Sequence, residues 1–212
     1  MEEQTSGLIL RTRPLTETSL IIQWITPDLG RIATVAKGAR RPKSPFTGKL
    51  DLFYESQFSF LRSRKSDLHT LKEVKLLNPH SRLRQSLEAI TLGSYFAVLV
   101  EYASETETPV PELWELFRRA IENLEATPAN ATTLFTFEWN LLLSEGYEPD
   151  LDAVRLSSGA RRFFENIDNP CPKELSRTEL TEISRFLLIA IGRSFERVPL
   201  QRQVALDILR IH

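Results

Sequence analysis

The fold turns on residues 19–44, "SLIIQWITPDLGRIATVAKGARRPKS". Ser19 to Thr26 is rich in β-branched and aromatic residues, the composition of a strand. In the next four residues Pro27 fixes φ, Asp28 can bond its own backbone and Gly30 tolerates φ > 0, so the chain turns. Arg31 to Ala36 then reads as the returning strand, with apolar residues in partial alternation. A hairpin is therefore expected, followed by a loop of unusual charge. From Arg31 to Lys49 there are six cations, Arg31, Lys37, Arg40, Arg41, Lys43 and Lys49, and no Asp or Glu. Gly38, Pro42, Pro45 and Gly48 punctuate this loop, and the prolines are expected to keep it extended.

Working outward, Leu8 to Leu10 is a short apolar run before the hairpin. Residues 49–61, "KLDLFYESQFSFL", place Leu50, Leu52, Tyr54, Ser56, Phe58 and Phe60 on one face, a period of two. After the polar turn "RSRKSD", residues 68–77 supply a fifth strand. Five short strands in so few residues suit a small closed barrel of the OB-fold kind better than a sandwich. Beyond Pro79 the period changes. Leu83, Leu87, Ile90, Tyr95, Val98 and Tyr102 recur at helical spacing, as do Leu113, Phe117, Ala120 or Ile121, and Leu124 behind the helix openers Pro109 and Pro111. A third helix is expected near Thr132 to Ser144 with Gly146 past its end. Ser176 to Glu179 fits a capping box opening a helix to Ile191, and a last helix spans Leu200 to Ile211. The fold class is thus α+β in two domains: a five-stranded OB-fold barrel over residues 1–79 and an all-α helical domain over residues 80–212.

The 212 residues are 42% apolar, enough for a packed core. No uncharged apolar run reaches the roughly 18 residues of a membrane span. The acidic start Met1-Glu2-Glu3-Gln4 is unlike a secretory leader, and a lone cysteine, Cys171, forms no intrachain disulfide, so a cytoplasmic setting is expected. The net charge of −1 conceals an asymmetry. Residues 1–80 hold 13 Lys/Arg and 8 Asp/Glu, net +5, while residues 81–212 hold 14 and 20, net −6. A basic half of this kind suits a polyanion, although a charged loop can also be only a solvated surface.

Catalytic patterns fail where they can be tested. Residues 38–44, "GARRPKS", lack the second glycine and the length of a phosphate-binding loop, and Pro42 and Pro45 oppose the helix that must follow it. There is no G-x-S-x-G elbow. His69, His80 and His212 have neither ligand spacing nor cysteine partners, so no metal and no cofactor are expected. What the basic loop can do is neutralise phosphates. Lys and Arg displace counterions from a nucleic-acid backbone, and nearby Trp24, Phe46, Phe53 and Tyr54 are candidate stacking surfaces unless they are core.

Residues 16–44 resemble the N-terminal signature of the RecO recombination-mediator family of bacteria. The matching positions are Glu17, Ser19, Thr26, Gly30, Ala36, Lys37, Gly38, Ala39, Arg40, Arg41, Lys43 and Ser44. Residues 141–152, "LLLSEGYEPDLD", and 192–209, "GRSFERVPLQRQVALDIL", are similar to its helical part more loosely. The resemblance implies an OB-fold joined to a helical domain. It implies binding of single- and double-stranded DNA, strand annealing, and help in loading RecA onto DNA coated by single-strand-binding protein (SSB). The partners it implies are RecR and the acidic, apolar C-terminal tail of SSB. It implies no enzyme. Many relatives carry a four-cysteine zinc site where this chain has Cys171 alone, so packing of Phe163, Phe164 and Ile167 is expected to replace it.

On this reading the DNA-binding residues are Arg31, Lys37, Gly38, Arg40, Arg41, Lys43, Ser44 and Lys49. A partner peptide is expected at Arg161, Arg162, Phe163, Phe164, Arg193, Arg197 and Arg202, where cations stand beside apolar residues in the sequence. Two rival readings remain: an adaptor whose basic loop grips an acidic protein, and a nuclease, which would need clustered carboxylates for metal ions.

Overall fold

The computed structural model describes residues 1–167 and 175–211. Five strands, β1 (Glu2–Pro14), β2 (Leu20–Thr26), β3 (Gly30–Ala36), β4 (Glu55–Leu61) and β5 (Leu68–Asn78), close into a barrel in the order β1-β2-β3-β5-β4. All neighbours are antiparallel except β3 and β5. This is the OB-fold arrangement. A single turn of 3₁₀ helix at Ser81–Gln85 leads to six helices: α1 (Leu87–Ala103), α2 (Pro111–Ala126), α3 (Ala131–Ser144), α4 (Ser158–Glu165), α5 (Arg177–Ser194) and α6 (Gln201–Ile208). No helix among the described residues is long and apolar enough to cross a membrane.

The barrel buries both of its faces on one side, which explains the unbroken apolar runs in its first two strands. Ile9, Ile22, Trp24, Ile32, Phe58 and Phe60 fill the interior, with Trp24 and Phe58 stacked at 4.0 Å between ring centroids. Leu8, Leu10 and Ile25 point outward instead and join the core of the helices. A register shift between Ile9 and Arg11 marks the bulge that bends β1. The outward face of the barrel and the helices therefore share one apolar core, separate from the barrel interior, rather than meeting at a wet surface.

Polar contacts reinforce the junction. Gly30 has φ 63°, and a Cβ there would stand 1.8 Å from the Thr108 carbonyl oxygen, so only glycine fits. The buried His69 meets Glu107 at 2.7 Å, and Arg62 bridges Glu107 and Glu3 at 2.7 and 2.6 Å. The hydrogen bond from Arg62 holds the Glu3 carboxyl below its ordinary range. His80 Nδ1 lies 2.7 Å from Glu125 on α2.

Within the helical part the caps follow the sequence signals. Ser176 and Glu179 form the capping box. Gly146, with φ 73°, ends α3 in a Schellman motif in which the Tyr147 N–H reaches the Leu142 carbonyl. A buried ion pair crosses the helical core: Arg202 on α6 donates to Glu138 on α3 at 2.8 and 3.0 Å, and the Tyr95 hydroxyl of α1 donates to Glu138 at 2.6 Å.

Two sequence expectations change. The fourth strand begins at Glu55, not Lys49, because Leu52 and Phe53 break away to pack in the helical core. The helix α4, eight residues long, lay below the length that periodicity can reveal.

Candidate nucleic-acid interface

The loop between β3 and β4 starts at Lys37, where the barrel strand ends. Its backbone is a succession of turns rather than the extended, proline-splayed segment expected from sequence. Arg41 N–H bonds the Gly38 carbonyl, Ser44 N–H that of Arg41, Thr47 N–H that of Ser44, and Lys49 N–H that of Phe46. Gly38 and Gly48, both with φ 71°, supply the left-handed residues such turning requires. The Ser44 hydroxyl accepts from the Phe46 N–H and closes one turn.

Three anchors fix this loop. Phe46 is buried in the barrel interior. Phe53, at the far end, is 2% exposed in the core of the helices, with a left-handed backbone (φ 64°) and its ring against Gly93 of α1. Arg40 grips the neighbouring β1–β2 loop: its N–H bonds the Thr18 carbonyl and its guanidinium the Thr16 carbonyl. Beside Phe53, Arg84 pairs with Asp51 at 2.9 Å, donates to the Leu52 carbonyl and lies 4.9 Å over the Tyr54 ring.

The cations of the loop carry no counter-ion among the described residues. Lys37, Arg40, Arg41 and Lys43 are exposed and Lys49 is partly so, and none of the five forms an ion pair among the described residues. Glu17, on the loop that Arg40 grips, is exposed and likewise unpaired. Arg31 is different. It sits at the opposite end of β3, about 20 Å from Lys37 at the usual rise per strand residue, and its guanidinium bonds the Ser104 carbonyl at 3.3 Å. It ties barrel to helices and is no part of the loop's charge.

The candidate stacking surfaces also change. Trp24, Phe46 and Phe53 are all core. The Trp24 indole N–H is satisfied by Thr34 Oγ1 at 2.9 Å, as a buried tryptophan requires. Tyr54 alone is half-buried, beneath Arg84. Sequence offered little to separate core from surface here, since single aromatics in turn-rich segments carry no period.

The residues grouped as a peptide site are spread over α4, α5, α6 and the segment between the last two, and only Arg202 of them lines a groove. Phe163 and Phe164 are buried, packed on Phe135 and Trp139, because helical spacing turns them inward and Arg161 and Arg162 outward. Arg161 pairs with Asp152, Arg162 bonds the Ser158 carbonyl, Arg193 is exposed at the end of α5, and Arg197 lies 3.7 Å over the Tyr102 ring. Arg202 is 3% exposed in its ion pair with Glu138. A groove of about 540 Å³ does exist between α5 and α6. Leu188, Leu200 and Leu206 line it with Ser184, Arg185 and Arg202, so of the seven residues only Arg202 reaches it. Among the described residues no three His, Cys, Asp or Glu converge as metal ligands, and Cys171 and His212 lie outside those residues.

With this geometry, the comparisons with known proteins fall into place. Residues 1–80 match the family model described as recombination protein O N terminal, and residues 84–211 match recombination protein O C terminal. The DNA repair protein RecO of Syntrophus aciditrophicus is 32% identical over 153 residues, covering 72% of this chain and 59% of that protein. Its counterpart in Rhodopirellula baltica is 34% identical over 143 residues, 68% of this chain and 53% of the relative. That of Idiomarina loihiensis is 36% identical over 136 residues, 64% and 57%. The chain thus matches between half and two thirds of the length of these relatives. Two family models that together cover the barrel and the helices leave one conclusion: the chain belongs to the RecO family.

Proposed function

We propose that this chain is a non-enzymatic recombination mediator in bacterial DNA repair, acting in the cytoplasm. It binds single- and double-stranded DNA through the β3–β4 loop, anneals strands and helps load RecA onto SSB-coated DNA, with RecR and the SSB tail as protein partners. On this reading residues 1–79 carry the DNA contacts and residues 80–212 the tail. The observation that carries the DNA contacts is the loop itself: five cations without a counter-ion, on a backbone fastened at Phe46, Phe53 and Arg40. A loop already ordered spends little conformational entropy on binding. Phosphate contacts of this kind bind without reading sequence.

For the SSB tail, the α5–α6 groove replaces the residues around Phe163. Exposed Leu188 and Leu200 stand there beside the exposed Arg185, which suits a short peptide carrying an apolar side chain and carboxylates.

The decisive experiment replaces Arg40, Arg41 and Lys43 by glutamine together. Each phosphate contact contributes about 0.7 to the slope of log K against log salt on single strands. The triple variant should lower that slope by about 2 and weaken binding to all sequences alike. Unchanged affinity and slope would remove the loop from the interface. Displacement of DNA by an acidic polypeptide at equal charge concentration would favour the adaptor reading instead.

A further inference from the structure

The turns of the basic loop enclose a space that phosphate binding alone does not use. A cavity of about 290 Å³ opens within it. Its floor is apolar, made by Leu20, Ala39, Phe46 and Leu50, all packed on the barrel interior. Its rim carries Arg40 and Arg41, both exposed and without ion pairs. The volume lies at the bottom of the range for small-molecule sites, about 300–1,000 Å³, so it admits one ring system and not a stacked pair. A purely electrostatic surface has no need of an apolar concavity between its cations.

We propose that this cavity receives one unstacked nucleobase of single-stranded DNA, with Arg40 and Arg41 at its mouth holding the flanking phosphates. The inference rests on the DNA-binding reading above and adds a site to it. Several features of the loop suit that ligand. A base offers a flat, weakly polar face, which the Phe46 and Leu50 floor can cover. A guanidinium at the rim can lie over a ring face or bond a phosphate. Every base has such a face, so capture would be indifferent to sequence. The rim is set before binding, because Arg40 is held by the Thr16 and Thr18 carbonyls. Paired bases stay in the stack and do not enter, whereas their phosphates still reach the cations. The cavity therefore separates two kinds of binding on one loop: phosphate contacts common to both DNA forms, and base insertion open to single strands alone.

The test compares two short oligonucleotides of equal length and charge, one with bases and one abasic throughout, binding to the unmodified full chain over a range of salt. The proposal expects the same salt slope for both and an affinity roughly 5- to 160-fold lower for the abasic strand, the range of losing a stacked base. Equal affinities would overturn it, while leaving the phosphate reading to stand or fall by the triple glutamine variant. An Ala39→Leu variant, which fills the cavity and keeps every cation, is expected to lose a similar factor on single strands and nothing on duplex. Equal loss on both DNA forms would also overturn the proposal. Should that variant fold poorly, the abasic comparison decides by itself.

Discussion

Arg202→Met tests the helical core most sharply. Arg202 is 3% exposed and Glu138 wholly buried. Glu138 accepts three hydrogen bonds, two from Arg202 and one from Tyr95, and Arg202 also donates to the Ser184 carbonyl at 3.0 Å. Methionine keeps much of the side-chain volume but leaves a carboxylate in the core with a single donor. Breaking a buried pair in this way costs about 3–5 kcal/mol. In a chain of this length that corresponds to a fall of roughly 6–20 °C in Tm. Removing the whole network should behave otherwise. Glu138→Leu with Arg202→Met leaves the Ser184 carbonyl without its Arg202 donor and the Tyr95 hydroxyl without its acceptor; in the parent, burial together with the Glu138 charge holds that phenol well above its ordinary pKa, in the protonated form. Adding Tyr95→Phe removes that group too, and the triple variant should recover most of the loss. Urea unfolding followed by circular dichroism measures all three proteins. A single variant that loses less than about 1 kcal/mol, or a triple no better than the single, would refute the argument. DNA affinity at a temperature where each variant is folded should not move.

Two further outcomes follow from the same reasoning. Phe53→Ala should cost about 3–5 kcal/mol in urea unfolding, as deletion of a buried aromatic does, and Tyr54→Ala, at a half-buried neighbour, clearly less. Glu115, held by hydrogen bonds from Arg118 and Arg119, has its pKa lowered to about 2; its folded value lies below its unfolded one, so its contribution is present above about pH 4.5 and disappears as pH falls toward 2. Glu115→Gln should therefore be less stable at pH 7, by no more than about 1 kcal/mol because the pair is on the surface, and equal to the parent near pH 2 in thermal melts.

Local signals in the sequence carried much of this structure. The β2–β3 hairpin, the Ser176 capping box and the Gly146 helix end are each set by a few adjacent residues whose conformational preferences agree with the final fold. What stayed hidden depends on long-range partners. The polar residues Glu2 to Ser6 belong to β1 because β4 runs beside them, Glu2 against Leu61 and Ser6 against Gln57. Leu8, Ile9 and Leu10 gave a strand without saying that two faces would be covered. The candidate site divides in the same way. The charge of the loop was plain from composition, but its shape depends on where Phe46 and Phe53 go, and one aromatic in a turn carries no periodicity from which to read burial. The residues grouped around Phe163 separate for the converse reason: neighbours in sequence on a helix face different ways.

The two aromatic anchors give the cationic loop a physical character that its composition does not. Five like charges within thirteen residues, Lys37 to Lys49, repel one another, and a free loop would spread to separate them. Here the spread is opposed at two points: Phe46, between Lys43 and Lys49, is sunk in the barrel and Phe53, just past Lys49, in the helical core, each in a place that water would have to enter if the loop let go. Hydrophobic burial thus holds the cations in the compact turns. On the DNA-binding reading proposed above, a phosphate backbone would relieve the repulsion without asking the loop to move, and so would gain more than on a loop that had already relaxed. Phe53 adds a consequence, since the same residue that terminates the loop is a member of the helical core against Gly93. The position of the basic loop is therefore set by both halves of the molecule, and a change in the packing around Gly93 would be felt at the loop even though it touches no cation.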